Sequence, residues 1–153
     1  MRTVATISRA GRWHVSCQGG GGYIAYNGLT GTLPTELGML SEVYSLELDQ
    51  NSLTGTVPTE LGMLSEVYRL YMSKNSLTGT VPTELGMLSE VHHLLLNDNM
   101  LEGSLPSQLG ALTNGIEFQY NADICGTISF DIADDSWRTL GTAIGQHCNA
   151  SGA

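Results

Sequence analysis

Histidine and acidic side chains are the groups in this chain that could bind a metal ion or carry catalysis. The chain has four His and fifteen Asp and Glu, against six Lys and Arg. His92 and His93 are adjacent in a short strand-like segment, so their rings should not converge on one ion. No motif brings Ser, His and Asp together, and no glycine loop suits a phosphate. We therefore predict no metal site, no cofactor and no enzymatic activity.

Two columns of glutamate offer a second route to a cation. They recur at a spacing of 24 residues and comprise Glu36, Glu60, Glu84 and Glu42, Glu66, Glu90. Carboxylate oxygens suit Ca²⁺, but a solvated acidic face accounts for the columns without any ligand. The net charge of −9 repels phosphate backbones, so we expect no nucleic-acid partner.

The columns belong to a 24-residue repeat that begins at Asn27. Further rows start at Asn51, Asn75 and Asn99, the fourth row diverges near its end, and a weak partial row precedes the first. Apolar pairs spaced by two residues, such as Leu70 and Met72, predict one short strand per row. No single row can bury its roughly seven apolar side chains, but stacked coils can.

A polar column and a proline column shape each coil. We expect the side chains of Asn27, Asn51, Asn75 and Asn99 to point inward, where an amide can bond the backbone of its own and the neighbouring coil. A proline such as Pro58 holds the preceding residue extended and prevents a long helix on the far side. The prediction is an α/β solenoid with short parallel strands on its concave face and short helical or 3-10 turns on its convex side.

The rows fit the pattern L-x-x-L-x-L-x-x-N-x-L-x-G-x-[LV]-P-x-x-L-G-x-L. This pattern resembles the plant-type leucine-rich repeat of receptor ectodomains and secreted inhibitor-like proteins of plants and algae, over about residues 20–128. The resemblance implies a right-handed superhelix. It also implies an N-terminal cap ending in WHVSC at residues 13–17, although no cysteine precedes Cys17 to pair with it. We expect residues 1–22 to form an N-terminal segment with a partial cap, 23–124 the repeats, and 125–153 a C-terminal cap.

Cys125 and Cys148 enclose a loop in the expected C-terminal cap. We predict that they form a disulfide, with two buried free thiols as the alternative. A disulfide indicates an oxidising compartment, and we expect an extracellular or cell-surface protein. Residues 1–12 lack the apolar core of a secretory signal, so an intracellular or organellar location remains the alternative. No apolar run is long enough to span a membrane.

The second and third rows differ only where the strands are predicted. Residues 51–67 and 75–91 are identical over seventeen positions. Five of the later differences should face outward from the strands: Tyr68/His92, Arg69/His93, Tyr71/Leu95, Ser73/Asn97 and Lys74/Asp98. Drift at unconstrained positions would also produce differences, yet exposed positions elsewhere did not drift. A constant frame with a changing strand face is typical of a recognition surface.

We therefore predict a non-catalytic module that binds a protein or peptide through its concave face. Tyr and Arg side chains often dominate such contacts, and tyrosine rings would also stack on carbohydrate. The predicted ligand-binding residues are Tyr23, Tyr44, Glu47, Tyr68, Arg69, Tyr71, His92, His93, Leu95 and Glu117. The oligomeric state is left open.

Two other functions are consistent with the repeat. The chain could be a scaffold subunit without a ligand of its own. Alternatively, threonine ladders away from the predicted strands could match an ice lattice, as in a plant antifreeze protein with a similar repeat. The ladders are Thr30, Thr54, Thr78 and Thr32, Thr56, Thr80.

Overall fold

A computed structural model describes residues 3–7, 13–17, 22–23, 25–112, 115–121 and 123–125. In this part of the chain the strands are β1 (Thr3–Ile7), β2 (Trp13–Cys17), β3 (Gly22–Tyr23), β4 (Thr30–Thr32), β5 (Ser45–Glu47), β6 (Ser52–Thr56), β7 (Arg69–Tyr71), β8 (Ser76–Gly79), β9 (His93–Leu95), β10 (Met100–Ser104), β11 (Gly115–Glu117) and β12 (Asp123–Cys125). Successive coils contribute equivalent strands, so the repeats stack as an α/β leucine-rich-repeat solenoid.

The concave sheet consists of one strand from each coil, in the order β3-β5-β7-β9-β11. Neighbouring strands are parallel and in register, with Leu46 opposite Leu70 and Leu70 opposite Leu94. These three leucines are fully buried. The alternation of apolar and polar residues therefore directs every second side chain into the core, as the period of two predicts.

A second parallel sheet, in the order β4-β6-β8-β10-β12, was not predicted from the sequence. Its strands carry little apolar signal: β4 has no buried side chain, and β6 has one fully buried apolar side chain, Leu53. The β-branched threonines favour extended backbone, and Gly55 takes a positive φ of 75°. Hydrogen bonds between coils then complete the sheet.

Short 3-10 helices form the convex side, at Thr35–Met39, Thr59–Met63, Thr83–Met87 and Ser107–Ala111. A proline precedes each helix; Pro82, for example, has an extended ψ of 138°. The glycine inside each of the first three helices permits a close approach to the next coil. A Cβ atom on Gly86 would lie 2.6 Å from the carbonyl oxygen of Gln108 in the next coil.

The core is a set of aliphatic columns that run through the stack. Leu61, Leu85 and Leu109 form one column behind the 3-10 helices, and all three are fully buried. Phe118 ends the column that contains Leu48, Met72 and Leu96, and it is also fully buried. Each coil covers the apolar side chains of the one before it, which is why the stack, and not the single coil, is the stable unit.

The asparagine column joins neighbouring coils. Asn75 accepts a hydrogen bond at Oδ1 from the amide of Leu53 in the preceding coil (3.0 Å), and its Nδ2 donates to the carbonyl of Leu48 there (3.0 Å). The same Nδ2 donates to Met72 of its own coil (3.1 Å). Asn51 and Asn99 make equivalent bonds to their preceding coils. One amide therefore satisfies backbone groups of two coils.

The two ends of the asparagine column differ from the prediction. Asn27 is exposed, and its Nδ2 donates only locally, to the carbonyl of Ala25 (2.9 Å). It is therefore not part of the inward column, because its side chain lies in solvent and bonds the backbone of its own turn. Asn121, which the sequence interpretation missed, accepts from the Leu101 amide (3.0 Å). It lies 22 residues after Asn99 because the fourth coil is two residues shorter.

The ends of the described region also bear on the expected domain limits. Strands β1 and β2 form an antiparallel pair. Strand β12 pairs with β10 and includes Cys125, so the second sheet crosses the expected limit between repeats and C-terminal cap. Cys148 lies outside the described residues, and the disulfide stays a prediction. No helix in the described part is both long and apolar enough to cross a membrane.

The close approach at the glycine column predicts that Gly86→Ala lowers the free energy of unfolding by about 1–3 kcal/mol. The new methyl group would clash with the backbone of Gln108, and rotation of a side chain cannot relieve that clash. The neighbouring Met87→Ala is the control, because Met87 is 70% exposed; we expect a change within about 0.5 kcal/mol. Urea denaturation measures both. Equal stability of the two variants would contradict the close packing of the coils.

Candidate functional site

Two columns of outward side chains cross the concave sheet. Strand register places Arg69 opposite His93, and Tyr71 opposite Leu95. Farther along the second column, Glu47 lies beside Tyr71 and Glu117 beside Leu95. The backbone of Tyr23 pairs with that of Glu47 at the first strand. The sheet therefore brings the predicted residues of strands β5, β7, β9 and β11 onto one surface, and the side chain of Tyr23 lies outside the described part.

A third column, just before the strands, is a stack of aromatic rings. The ring centroids of Tyr44 and Tyr68 are 5.1 Å apart with an interplanar angle of 8°. Those of Tyr68 and His92 are 4.2 Å apart at 15°. Parallel strands lie about 4.8 Å apart, so equivalent rings in successive coils must stack face to face. We call Tyr44, Tyr68 and His92 the aromatic column.

Arg69 lies against this column. Its Cζ atom is 5.4 Å from the ring centroid of Tyr68 and 6.0 Å from that of Tyr44. Such distances allow a cation–π attraction. The ring of His93 meets the edge of Tyr68 at 5.9 Å and that of Tyr71 at 6.4 Å. Arginine, tyrosine and histidine thus form one cluster at the centre of the concave face.

Partial burial changes the protonation of this cluster. Burial lowers the pKa of His93 below its ordinary value of 6.5, and the positive charge of Arg69 lowers it further. Burial also raises the pKa of Tyr71 above 10.0, while Arg69 acts in the opposite direction. At neutral pH both shifts favour the uncharged forms of His93 and Tyr71, next to the positive charge of Arg69.

The ring of His92 has a defined proton. Its Nδ1 lies 3.0 Å from the backbone carbonyl oxygen of Glu90. A carbonyl oxygen can only accept, so Nδ1 donates, and in the neutral ring Nε2 is the acceptor. The stack with Tyr68 and this bond together hold the ring in one orientation.

Carboxylates lie at both sides of the cluster. Glu47 accepts a hydrogen bond from the Ser45 hydroxyl at 2.9 Å. Glu117 accepts one from the Gln119 amide at 2.8 Å. Both glutamates are partly exposed. The concave face is therefore aromatic and cationic at its centre and acidic at its flanks.

Three outward strand positions are less accessible than the sequence pattern indicates. Ser45, Ser73 and Asn97 are buried, with exposures of 2%, 8% and 9%. The Ser73/Asn97 difference between the second and third rows therefore changes a residue beneath the concave surface, which a ligand could hardly touch. The alternation of side chains along a strand predicts the same outward direction for these positions as for Tyr71 and His93, and it does not predict their burial.

The described members of the aromatic column end with His92, because residues 113–114, which lie just before β11, are outside the described part of the chain. Gly115 pairs with His93 in the next strand. The sheet thus continues beyond the column, but with little side-chain volume. Over the described ranges, no three His, Cys, Asp or Glu side chains are grouped to hold a metal ion.

A stack of parallel coils with a varied concave sheet is the architecture of a leucine-rich-repeat recognition module. The family model described as Leucine Rich Repeat matches residues 67–88. The BIR2 ectodomain from Arabidopsis thaliana is similar at 30% identity and a TM-score of 0.70, covering 84% of this chain and 69% of that chain. The chain therefore belongs to the plant-type leucine-rich-repeat family.

Two further solved structures are similar. One is the ectodomain of the receptor kinase GASSHO1/SCHENGEN3 from Arabidopsis thaliana in complex with Casparian strip integrity factor 2, with 35% identity, a TM-score of 0.66, and coverage of 71% of this chain and 13% of that chain. The other is a plant ice-binding protein, with 32% identity, a TM-score of 0.61, and coverage of 65% and 32%. The chain thus spans a small part of these two proteins. No curated protein sequence matches the chain.

The environment of His93 predicts a titration midpoint below 6.5 in the folded protein. Because the folded pKa is below the unfolded one, the stability that neutral His93 contributes is present above about pH 6.5 and is lost as the pH falls below it. We expect His93→Gln to reduce the fall in Tm between pH 7 and pH 5. Histidine NMR titration together with thermal melts tests this. A midpoint at or above 6.5 would show that burial and Arg69 do not act on the ring.

Proposed function

We propose that this chain binds a protein or peptide ligand on its concave face, at the cell surface or outside the cell. The observation that supports the proposal is the cluster of the aromatic column with Arg69. Rings that are already stacked lose little conformational freedom on binding. Tyrosine and arginine side chains in one partly buried cluster have the composition of an interface hot spot.

The charge pattern of the face favours a particular ligand. Arg69 suits a carboxylate or a polar oxygen at the centre of the site. Glu47 and Glu117 on the flanks repel further negative charge and favour basic or neutral groups there. An extended peptide that lies across the parallel strands would meet both regions. Similarity to an ectodomain that is in complex with Casparian strip integrity factor 2 supports a protein partner and an extracellular location.

A peptide-library experiment tests this function. A displayed library of random peptides is selected on the immobilised full chain, and the affinity of the recovered peptides is measured for variants. We expect Tyr68→Ala to weaken binding by about thirtyfold or more, the effect of removing a hot-spot side chain. Glu66→Gln, which changes an exposed residue away from the concave sheet, should leave the affinity unchanged.

Two outcomes would contradict the proposal. Recovered peptides that bind Tyr68→Ala and the unaltered chain equally would place the interaction elsewhere. A glycan array probed in parallel distinguishes carbohydrate binding, because tyrosine faces also stack on sugars. If the chain captures glycans but no peptide, and Tyr68→Ala abolishes that capture, the site is correct and its ligand is a carbohydrate instead of a peptide.

Ice binding is a second candidate, and the outer face of the second sheet favours it. Thr30, Thr32, Thr54, Thr56 and Thr80 are exposed there, and Thr78 is partly exposed. These residues come from three successive coils whose strands on this face carry no charged side chain. The similarity to a plant ice-binding protein supports this candidate as well.

Packing between coils orients one of the two threonine columns. A Cβ atom on Gly55 would lie 2.8 Å from the Cγ2 methyl of Thr32, and one on Gly79 would lie 3.0 Å from that of Thr56. Each methyl group thus rests against the glycine of the next coil. The hydroxyl groups of this column are therefore held in the same orientation from coil to coil, which a lattice-matching surface requires.

The two candidates make opposite predictions for a pair of variants. If the threonine face binds ice, Thr54→Lys abolishes thermal hysteresis, because a long charged side chain breaks the flat array, and Tyr71→Ala leaves it intact. Nanolitre osmometry measures the effect. If the unaltered chain shows no hysteresis and does not shape ice crystals, the second candidate is rejected and the concave-face proposal is unaffected.

A further inference from the structure

Three methionines form a ladder on the convex side, away from the concave sheet and from the threonines of the second sheet. Met39, Met63 and Met87 are the last residues of three successive 3-10 helices. Their exposures are 78%, 64% and 70%. The fourth coil has Ala111 at this position, so the methionine ladder has three members.

The coils are closely spaced beside this ladder. A glycine precedes each methionine, and a Cβ atom on Gly62 would collide with the backbone of Glu84 in the next coil. The turn that follows is also in register, since the Ser65 hydroxyl donates to the carbonyl of Ser41 at 3.5 Å. The methionine backbones of adjacent coils are therefore held near the minimum separation that the stack allows.

Packing does not account for the methionines of the ladder. Met72, in contrast, is fully buried and fills the core. Ala111 shows that the coil tolerates a small side chain at the ladder position. Methionine is unbranched and flexible, with a soft sulfur atom at the third side-chain position. Three such side chains on adjacent coils can turn their sulfur atoms toward a common point.

We propose that the methionine ladder binds a single soft monovalent cation, Cu(I), through three thioether sulfur atoms. Thioethers select soft ions such as Cu(I) over Zn²⁺, Mg²⁺ or Ca²⁺. They are neutral, so charge must come from elsewhere. Glu36, Glu60 and Glu84 lie three residues before the methionines, and positions three apart eclipse in a 3-10 helix. These carboxylates attract the cation without having to bind it directly.

This site is independent of the proposed peptide recognition, because it involves no residue of the concave face. Binding is a simple association and transfers no electron. The test uses Ag⁺, which has the same charge and softness as Cu(I) and does not change oxidation state. The full chain is labelled with ¹³C at the methionine methyl groups, and its cysteines are reduced and alkylated first, because thiolates are competing soft ligands.

The chain has six methionines, so the methyl spectrum contains its own controls. We expect the resonances of Met39, Met63 and Met87 to shift together and to saturate at one equivalent of Ag⁺. Met72, which is buried, and Met100, which is 56% exposed but off the ladder, should not move. Parallel and unsaturable shifts of Met100 and the ladder methyls would show contact with any exposed thioether, and would overturn the proposal.

A matched pair of variants separates a shared site from three independent contacts. Met63→Leu removes the central sulfur atom while nearly conserving volume, and it should abolish the joint shift of Met39 and Met87. Met100→Leu should leave that shift unchanged. Both residues are exposed, so neither variant should alter Tm. If Met39 and Met87 still shift at one equivalent in Met63→Leu, the three-sulfur site is wrong.

Discussion

The hydrogen bonds of one asparagine per coil hold the structure together. A turn from the concave strand to the second sheet leaves backbone amides and carbonyls inside the protein, where each unpaired group is costly. Asn75 satisfies the Leu53 amide and the Leu48 carbonyl of one coil and the Met72 carbonyl of its own. This bridge links neighbouring coils at the turn where the two sheets meet, and so supports the register of both sheets.

The spacing of the functional groups follows from this register. Coils joined at the asparagine column hold equivalent residues one strand apart, so the rings of Tyr44, Tyr68 and His92 stack. The same spacing aligns the threonines of the second sheet and the methionines of the convex side. The frame thus repeats three kinds of surface, which differ in their side-chain chemistry. Only the concave surface differs strongly between the second and third coils.

Much of the fold could be predicted from the sequence because the repeat makes the same physical demand four times. The concave strands and the aliphatic columns follow directly from apolar spacing. The second sheet could not be predicted, since Leu53 alone marks strand β6, and a single apolar residue has no period. The sequence did not predict Asn121 as a member of the asparagine column, because the fourth coil is two residues shorter than the 24-residue repeat.

The sequence predicted which strand face carries the candidate site, but not which side chains of that face contact one another. Alternation identified Tyr71 and His93 as outward residues, yet it gave Ser45 the same status, and Ser45 is buried. Burial on a strand face depends on the size of side chains in adjacent coils, which a one-dimensional pattern does not contain. The position of Arg69 over two tyrosine rings likewise depends on contacts between coils. The glycine before Met63 is a further case, because its role is a contact with the next coil.

Amide hydrogen exchange in Asn75→Ala tests the role of the asparagine bridge most directly, with Asn27→Ala as the control. We expect Asn75→Ala to lower the free energy of unfolding by about 2–4 kcal/mol. Protection from exchange should be lost first at the Leu53 amide, which donates its hydrogen bond to the Asn75 side chain. Asn27→Ala should cost less than about 1 kcal/mol, because Asn27 is exposed. If Leu53 stays protected in Asn75→Ala, or if the two variants are equally stable, the coils do not depend on the asparagine column.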